Sequence, residues 1–330
     1  MIGVLGSGSW ATSIVKVLQE KSDNGVINWW VLEPEVRASV SNEGRNPLYL
    51  SDVQLDKDRL YVSNDVQEII DRCDDVYVVI PSAFLQGVMD KVSWQSMMGK
   101  NFITAVKGLI PSTHQTVSEF LNLEIGINAD NIAVISGPTH AEEVSKGKKT
   151  FLAVASTNRE LSLRTQQTLA CDYLTPIVYD DVKGIEWAAV LKNIYAIAGG
   201  LTQGPEGGDN LTAVMVTAVL DEMAHFLQII SPSLERRIHD FPYLGDLLVT
   251  CWSKHSRNRT LGEALANGKP LSTAISRQKM VAEGYFAVKS LKHIIDQRNI
   301  SMPIARSIYT ILYEKVDVKE EIDRMIKNLL

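Results

Sequence analysis

The sequence predicts an α/β protein: a doubly wound parallel sheet in the N-terminal half, followed by an all-α C-terminal half. Three observations carry this. Short, almost wholly apolar runs alternate with amphipathic helical stretches over the first half. A glycine-rich turn, Gly6-Ser7-Gly8-Ser9-Trp10-Ala11, stands between the first run and the first helical stretch. Beyond residue 181 or so, helical periodicity replaces the strand signals.

Residues 1–5 form the first apolar run, and Ala11, Ile14, Val15 and Leu18 then recur at i, i+3, i+4 and i+7, one face of a helix. Further strands are expected at 26–32, 76–80, 102–106, 132–135 and 151–155. Near-continuous apolar runs suit strands covered on both faces, and their alternation with helices implies right-handed parallel crossovers. Helices are expected at 184–201, 210–230, 258–267, 275–297 and 304–314. This places a nucleotide-type, Rossmann-type α/β domain at 1–181 and an all-helical domain at 182–330.

The composition agrees with two ordinary domains. There are 330 residues, 45% apolar and 22% charged, with 33 basic against 39 acidic side chains, a net charge of −6. An acidic chain lacks the basic stripe that nucleic-acid binding needs, and the apolar content is too high for disorder. No membrane span is expected: the best run, 211–220, is closed by Asp209 and Asp221. The first residues carry no basic region typical of a secretory signal. Three widely spaced cysteines, Cys73, Cys171 and Cys251, argue against a disulfide framework or zinc site and for a cytoplasmic protein. The six histidines, among them the loop residues His140 and His255, show no metal-binding spacing, so no metal is expected.

The G-x-G-x-x-A turn is a dinucleotide fingerprint. Gly6 permits the tight turn, Gly8 lets backbone approach a pyrophosphate, and the helix N-terminus offers N–H groups to it. Glu33, 22 residues beyond Ala11 and directly after Leu32, stands where a carboxylate reads the adenosine ribose. That favours NAD over NADP. Its bland alternative is a solvated loop acid. Lys107 follows another strand end beside Gly108.

Lys192 lies in a helix apolar around most of its circumference; burial would depress its pKa toward the acid–base range, whereas a lysine at the helix edge would snorkel to solvent. Ser256-Arg257-Asn258-Arg259 precedes a helix and reads either as an anion site or as an ordinary cap with exposed arginines.

Together these motifs resemble the bacterial NAD(P)-dependent glycerol-3-phosphate dehydrogenase family, over almost the whole chain and in the family's order. The resemblance is carried by Gly6–Ala11, Pro81-Ser82, Val106-Lys107-Gly108, Ser136-Gly137-Pro138, Leu191-Lys192-Asn193, Gly245-Asp246-Leu247, Ser256–Arg259, Val281–Gly284 and Met302-Pro303-Ile304. It implies that Ser9, Trp10 and Ala141 touch the cofactor, and that Arg257, Val281, Glu283 and Lys107 also meet it. It implies a substrate site of Lys107, Gly137, Thr139, Lys192, Asp246, Ser256, Arg257 and Asn258, with Lys192 as proton donor and acceptor. The implied reaction interconverts sn-glycerol 3-phosphate and dihydroxyacetone phosphate and supplies glycerophospholipid synthesis; a homodimer stays open.

Four departures stand out: Leu32-Glu33 where the family commonly has arginine, the altered glycine segment 204–210, Ala218 in place of a common arginine, and a dissimilar 228–244. The alternatives are a related 3-hydroxyacid dehydrogenase and a non-catalytic nucleotide-binding regulator. The adjacency of Lys192 and Asn193 argues against the first, and the joint retention of Lys107, Lys192, Asp246, Arg257 and Asn258 against the second.

Overall fold

A computed structural model of the chain describes residues 1–254, 256–276, 282–314 and 316–328. The chain divides into two compact units, Met1–Val106 with Gln115–Val182, and Lys107–His114 with Lys183–Leu330.

The first unit is built on an eight-stranded sheet: β1 (Ile2–Leu5), β2 (Ile27–Trp30), β3 (Leu60–Ser63), β4 (Asp75–Val78), β5 (Asn101–Thr104), β6 (Ile132–Ser136), β7 (Thr150–Ala155) and β8 (Leu174–Tyr179). The order is β3-β2-β1-β4-β5-β6-β7-β8, so the winding reverses between β1 and β4. Ligands of such sheets bind at the carboxyl ends beside that switch point. Every residue of β1 and β2 is buried, as the continuous apolar runs require. Val4, Ile14, Trp29, Tyr77, Ile103 and Val154 belong to one core cluster, which joins sheet and helices.

Three features differ from the sequence expectation. β7 runs antiparallel to β6, so the sheet is not wholly parallel. The link between them holds only the short helix Ala141–Val144, too little to carry the chain back along the sheet for a parallel return. β3 and β8 were not expected as strands. Both are edge strands; β3 is half-exposed throughout, and β8 contains Pro176, a residue that argues against a strand unless an edge leaves its missing N–H unneeded.

In the second unit the helix Val182–Leu201 is the axis. Every residue from Gly184 to Leu201 is buried, the pattern of a helix surrounded by others. Two glycines let its neighbours approach closely. A Cβ on Gly262, in the helix Arg257–Ala266, would lie 2.0 Å from the Ile197 carbonyl oxygen. One on Gly284, in the helix Glu283–Gln297, would lie 2.3 Å from that of Asn193.

The expected helix 275–297 is two elements, Leu271–Ser276 and Glu283–Gln297, with 277–281 outside the described residues. Helices Asp246–Trp252 and Val318–Lys327 were also unanticipated. The expectation of no membrane span has one helix to be weighed against it. By length and composition alone the helix Asp209–Ile230 could cross a bilayer, because Asp221 and Glu222 interrupt its run without lowering its average far. In this fold it buries Met215, Val219, Met223, Phe226 and Leu227. Its Glu222 accepts hydrogen bonds from the Ile304 and Ala305 amides, at 2.8 and 2.9 Å, and from the Tyr195 hydroxyl at 3.1 Å.

Candidate active site

In the first unit, β1 runs straight into the glycine turn and the helix Ser9–Gln19. Gly6 has φ +120°, and a Cβ there would sit 2.4 Å from the Val79 carbonyl oxygen, so only glycine fits. The indole of Trp29 clamps this turn from β2, donating to the Gly6 carbonyl at 2.6 Å. At Gly8 nothing lies within 4 Å of the Cβ position. No side chain caps the helix that follows, and the buried indole nitrogen of Trp10 has no partner. An open backbone surface, uncapped N–H groups and a spare donor fit the pyrophosphate of a dinucleotide.

Glu33 directly precedes the helix Pro34–Glu43, and its Oε2 accepts from Ser7 Oγ at 2.6 Å, which places the carboxylate beside the glycine turn. It is not a free loop acid. Gly137 follows β6 with φ +131°, and its carbonyl accepts from Thr139 Oγ1 at 3.1 Å. The Ala141 carbonyl accepts from Ser13 Oγ at 2.8 Å, tying this loop to the glycine-turn helix.

In the second unit, Lys192 is buried at 6% exposure, which answers the question between burial and snorkelling. Its ammonium donates to Asp246 Oδ1 at 2.5 Å and to Thr250 Oγ1 at 3.0 Å. Asp246 enters its helix from a wide π-type turn, Phe241–Gly245, a local irregularity often found where a side chain must be aimed. Thr250, one turn on, points the same way; its hydroxyl donates to the Asp246 carbonyl at 2.6 Å and so accepts from the lysine. The other Asp246 oxygen lies 3.3 Å from Lys107 Nζ, so one buried carboxylate holds two ammonium groups. Burial draws the Lys192 pKa down to about 8; Asp246 opposes this and Lys107 adds to it.

A second network frames that triad. Asn193 Nδ2 donates to the Lys107 carbonyl at 2.9 Å, Asn258 Nδ2 to Asn193 Oδ1 at 3.1 Å, and the Gly284 amide to Asn258 Oδ1 at 2.9 Å. Four segments are thereby locked in register. Glu283 faces the same positive charge: burial raises its pKa, while Arg257, Lys107 and Lys192 pull it down.

Of the expected site residues, Lys107, Lys192 and Asp246 come together directly, and Asn258 joins them through Asn193. Ser256 is buried and caps the helix Arg257–Ala266, accepting from the Arg259 amide at 3.2 Å. Arg257, at the first position of that helix, is exposed. Val281 and His255 lie outside the described residues. Thr250 was not anticipated and Asn193 entered only through its adjacency to Lys192, because nothing in their own type separates them from helix filler. Trp29 was read only as strand. Among the described residues, no group of three His, Cys, Asp or Glu side chains could hold a metal ion.

A glycine-turn α/β unit with an open dinucleotide cradle, and a helical unit with a buried, Asp-paired lysine, define a nicotinamide-dependent dehydrogenase. Residues 1–162 match the NAD-dependent glycerol-3-phosphate dehydrogenase N-terminus, and residues 181–323 the C-terminus of the same family. The chain belongs to the NAD-dependent glycerol-3-phosphate dehydrogenase family. It is 32% identical over 322 residues to the glycerol-3-phosphate dehydrogenase [NAD(P)+] of Chlorobium limicola, covering 97% of this chain and 96% of that one. It is 33% identical to the Staphylococcus carnosus protein of that name, with the same coverage. The crystal structure of the Coxiella burnetii glycerol-3-phosphate dehydrogenase superposes with a TM-score of 0.90 at 27% identity, over 99% of this chain and 98% of that one.

Proposed function

We propose that this chain interconverts sn-glycerol 3-phosphate and dihydroxyacetone phosphate, with Lys192 moving the proton and with NAD as the preferred cofactor. The unit carrying the glycine turn serves as the dinucleotide-binding domain and the helical unit as the substrate domain. The observation that carries the reading is the Lys192–Asp246–Thr250 cluster, with Lys107 on the same carboxylate. Gly6, Gly8, Ser9, Trp10, Glu33 and Ala141 would hold the cofactor, which supplies or accepts the hydride when bound.

In the reducing direction the Lys192 ammonium donates a proton to the oxygen that was the ketone carbonyl. In the oxidising direction the neutral amine takes that proton from the hydroxyl. A pKa of about 8 makes both forms accessible near neutrality. Asp246 and Thr250 fix the direction in which Nζ can point, and Lys107 adds positive charge beside the oxygen where negative charge develops. Arg257 offers an exposed guanidinium suited to a phosphate. Asn258 spends its carbonyl oxygen and one amide hydrogen on Asn193 and Gly284, so its main service is to hold the frame, with one N–H left for substrate. Gly137 and Thr139 are assigned to the substrate from the family pattern.

The preference for NAD rests on Glu33, a carboxylate able to accept from a ribose 2′-hydroxyl and to repel a 2′-phosphate. The test is nicotinamide absorbance with dihydroxyacetone phosphate and either NADH or NADPH. Rapid NADH oxidation with weak NADPH use is expected. Equal use of both would remove the Glu33 argument and keep the reaction, and no turnover in folded, cofactor-binding protein would overturn the substrate.

A further inference from the structure

Three successive carbonyls of the glycine turn are each held by a buried side chain. The Gly6 carbonyl accepts from the Trp29 indole at 2.6 Å, the Ser7 carbonyl from Asn46 Nδ2 at 2.8 Å, and the Gly8 carbonyl from Thr12 Oγ1 at 3.1 Å. Trp29, Asn46 and Thr12 have no solvent exposure, so these carbonyls face the interior. In a trans peptide the N–H points opposite to the C=O. The amides of Ser7, Gly8 and Ser9, on the same three peptides, therefore point away from the buried donors.

Asn46 is the donor that comes from furthest along the chain. Thr12 lies on the turn's own helix and Trp29 on the adjacent strand, whereas Asn46 follows the helix Pro34–Glu43, 39 residues beyond Ser7. Its carboxamide is saturated: Nδ2 also donates to Thr12 Oγ1 at 2.9 Å, and Oδ1 accepts from the Leu48 and Tyr49 amides at 3.2 and 3.1 Å. Two N–H donors on one side, with a carbonyl and a hydroxyl on the other, allow only this orientation of the amide. The Thr12 hydroxyl, accepting from Asn46, turns its own hydrogen to the Gly8 carbonyl.

We propose that Asn46 is a positioning residue for the cofactor pyrophosphate. Directly at Ser7, and through Thr12 at Gly8, it turns two carbonyls inward and so aims the Gly8 and Ser9 amides at the phosphates. This role rests on the glycine turn binding a dinucleotide. Peptides beside glycine are otherwise free to rotate and present a carbonyl oxygen, which repels a phosphate. Fixing them before the ligand arrives removes that ordering cost from binding.

The test is titration of the full chain with NADH, followed by nicotinamide fluorescence, and displacement of the NADH by ADP or by adenosine, with thermal melting alongside. ADP carries the pyrophosphate and adenosine does not. Asn46→Asp keeps the shape but puts an acceptor against the Ser7 carbonyl. The NADH and ADP dissociation constants should rise by about fivefold to fiftyfold, and the adenosine constant should stay within about twofold of the parent's. Thr12→Val should raise the same two constants by about threefold to tenfold, and Thr12→Ser, which keeps the hydroxyl, should restore them. That pair decides the matter if Asn46→Asp does not fold. Unchanged ADP constants in the folded variants overturn the positioning role. Equal weakening of ADP and adenosine also overturns it, because the loss is then one of general structure. A parent chain that binds neither NADH nor ADP overturns the reading of the glycine turn, and the role of Asn46 with it.

Discussion

Lys192 and Asp246, 54 residues apart in sequence, meet with Nζ 2.5 Å from Oδ1 inside the helical unit. The aspartate is buried at 1% exposure, and its second oxygen lies 3.3 Å from Lys107 Nζ. Two cations on one carboxylate leave the cluster with an excess positive charge in a poorly solvated place. Such an arrangement costs stability unless its members are held and hydrogen-bonded, and here Thr250 and the Asn193–Asn258 frame do so.

Replacing Lys192 by methionine keeps the length and removes the proton. Turnover with dihydroxyacetone phosphate should fall by about 10² to 10⁴-fold, the range expected for loss of a positioned acid–base group. Cofactor binding, measured by calorimetry, should be unchanged. Turnover within a few-fold of the parent would rule Lys192 out as the proton carrier.

The pH dependence follows from a Lys192 pKa of about 8, lowered by burial. Oxidation of glycerol 3-phosphate needs the neutral amine, so its rate should rise with pH through about 8. Reduction needs the ammonium and should decline through the same range. Asp246→Asn removes the charge that opposes the burial effect, so both limbs should move to lower pH, by about one pH unit or more. Rate–pH profiles of parent and variant in both directions check this; limbs that stay in place would show that another group titrates.

Glu222 should make itself known through stability. Burial pushes its pKa from 4.5 up to about 7, against the lowering effect of its hydrogen bonds to Ile304, Ala305 and Tyr195. Between those two values the folded state retains a proton that the unfolded chain releases. The fold should therefore lose stability as pH rises from about 4.5 to 7. Glu222→Gln should flatten that part of the curve, read as urea midpoints at several pH values.

Gly262→Ala tests the close helix crossing. The added methyl would meet the Ile197 carbonyl at 2.0 Å, so backbone must move. A loss of about 3 kcal/mol is expected by urea denaturation, the upper part of the usual overpacking range. Activity should fall further than stability requires, because Asn258 on the displaced helix holds Asn193. A variant as stable as the parent would mean the crossing gives way easily.

Much of this protein is legible along the chain. The apolar runs that became β1, β2 and β4 to β7, the glycine turn, and the all-buried helix around Lys192 all follow from local pattern, since burial on both faces needs continuous apolar sequence. The positions of Lys107, Lys192 and Glu33 were likewise picked out by type and place, and that of Asp246 through the family resemblance. Edge strands β3 and β8 were not, because partly exposed edge strands need no such pattern and β8 carries Pro176, a residue that a strand tolerates only where its missing N–H is unneeded. Ser256 and Arg257 were ambiguous between cap and anion site, and only the bond from the Arg259 amide shows that the serine hydroxyl caps.

The sequence by itself determined that this is a two-part α/β and helical chain with a dinucleotide turn and a lysine in an apolar helix, because those properties are written in neighbouring residues. Tertiary structure alone decided that Thr250 joins Asp246 on that lysine, that Asn258 is spent on Asn193, and that Ser7 donates to Glu33. Each of those contacts joins residues far apart or in irregular loops, where hydrogen-bond geometry rather than periodicity sets the partner. A buried carboxamide or carboxylate takes whatever donors the fold brings to it, and only the folded chain shows which those are.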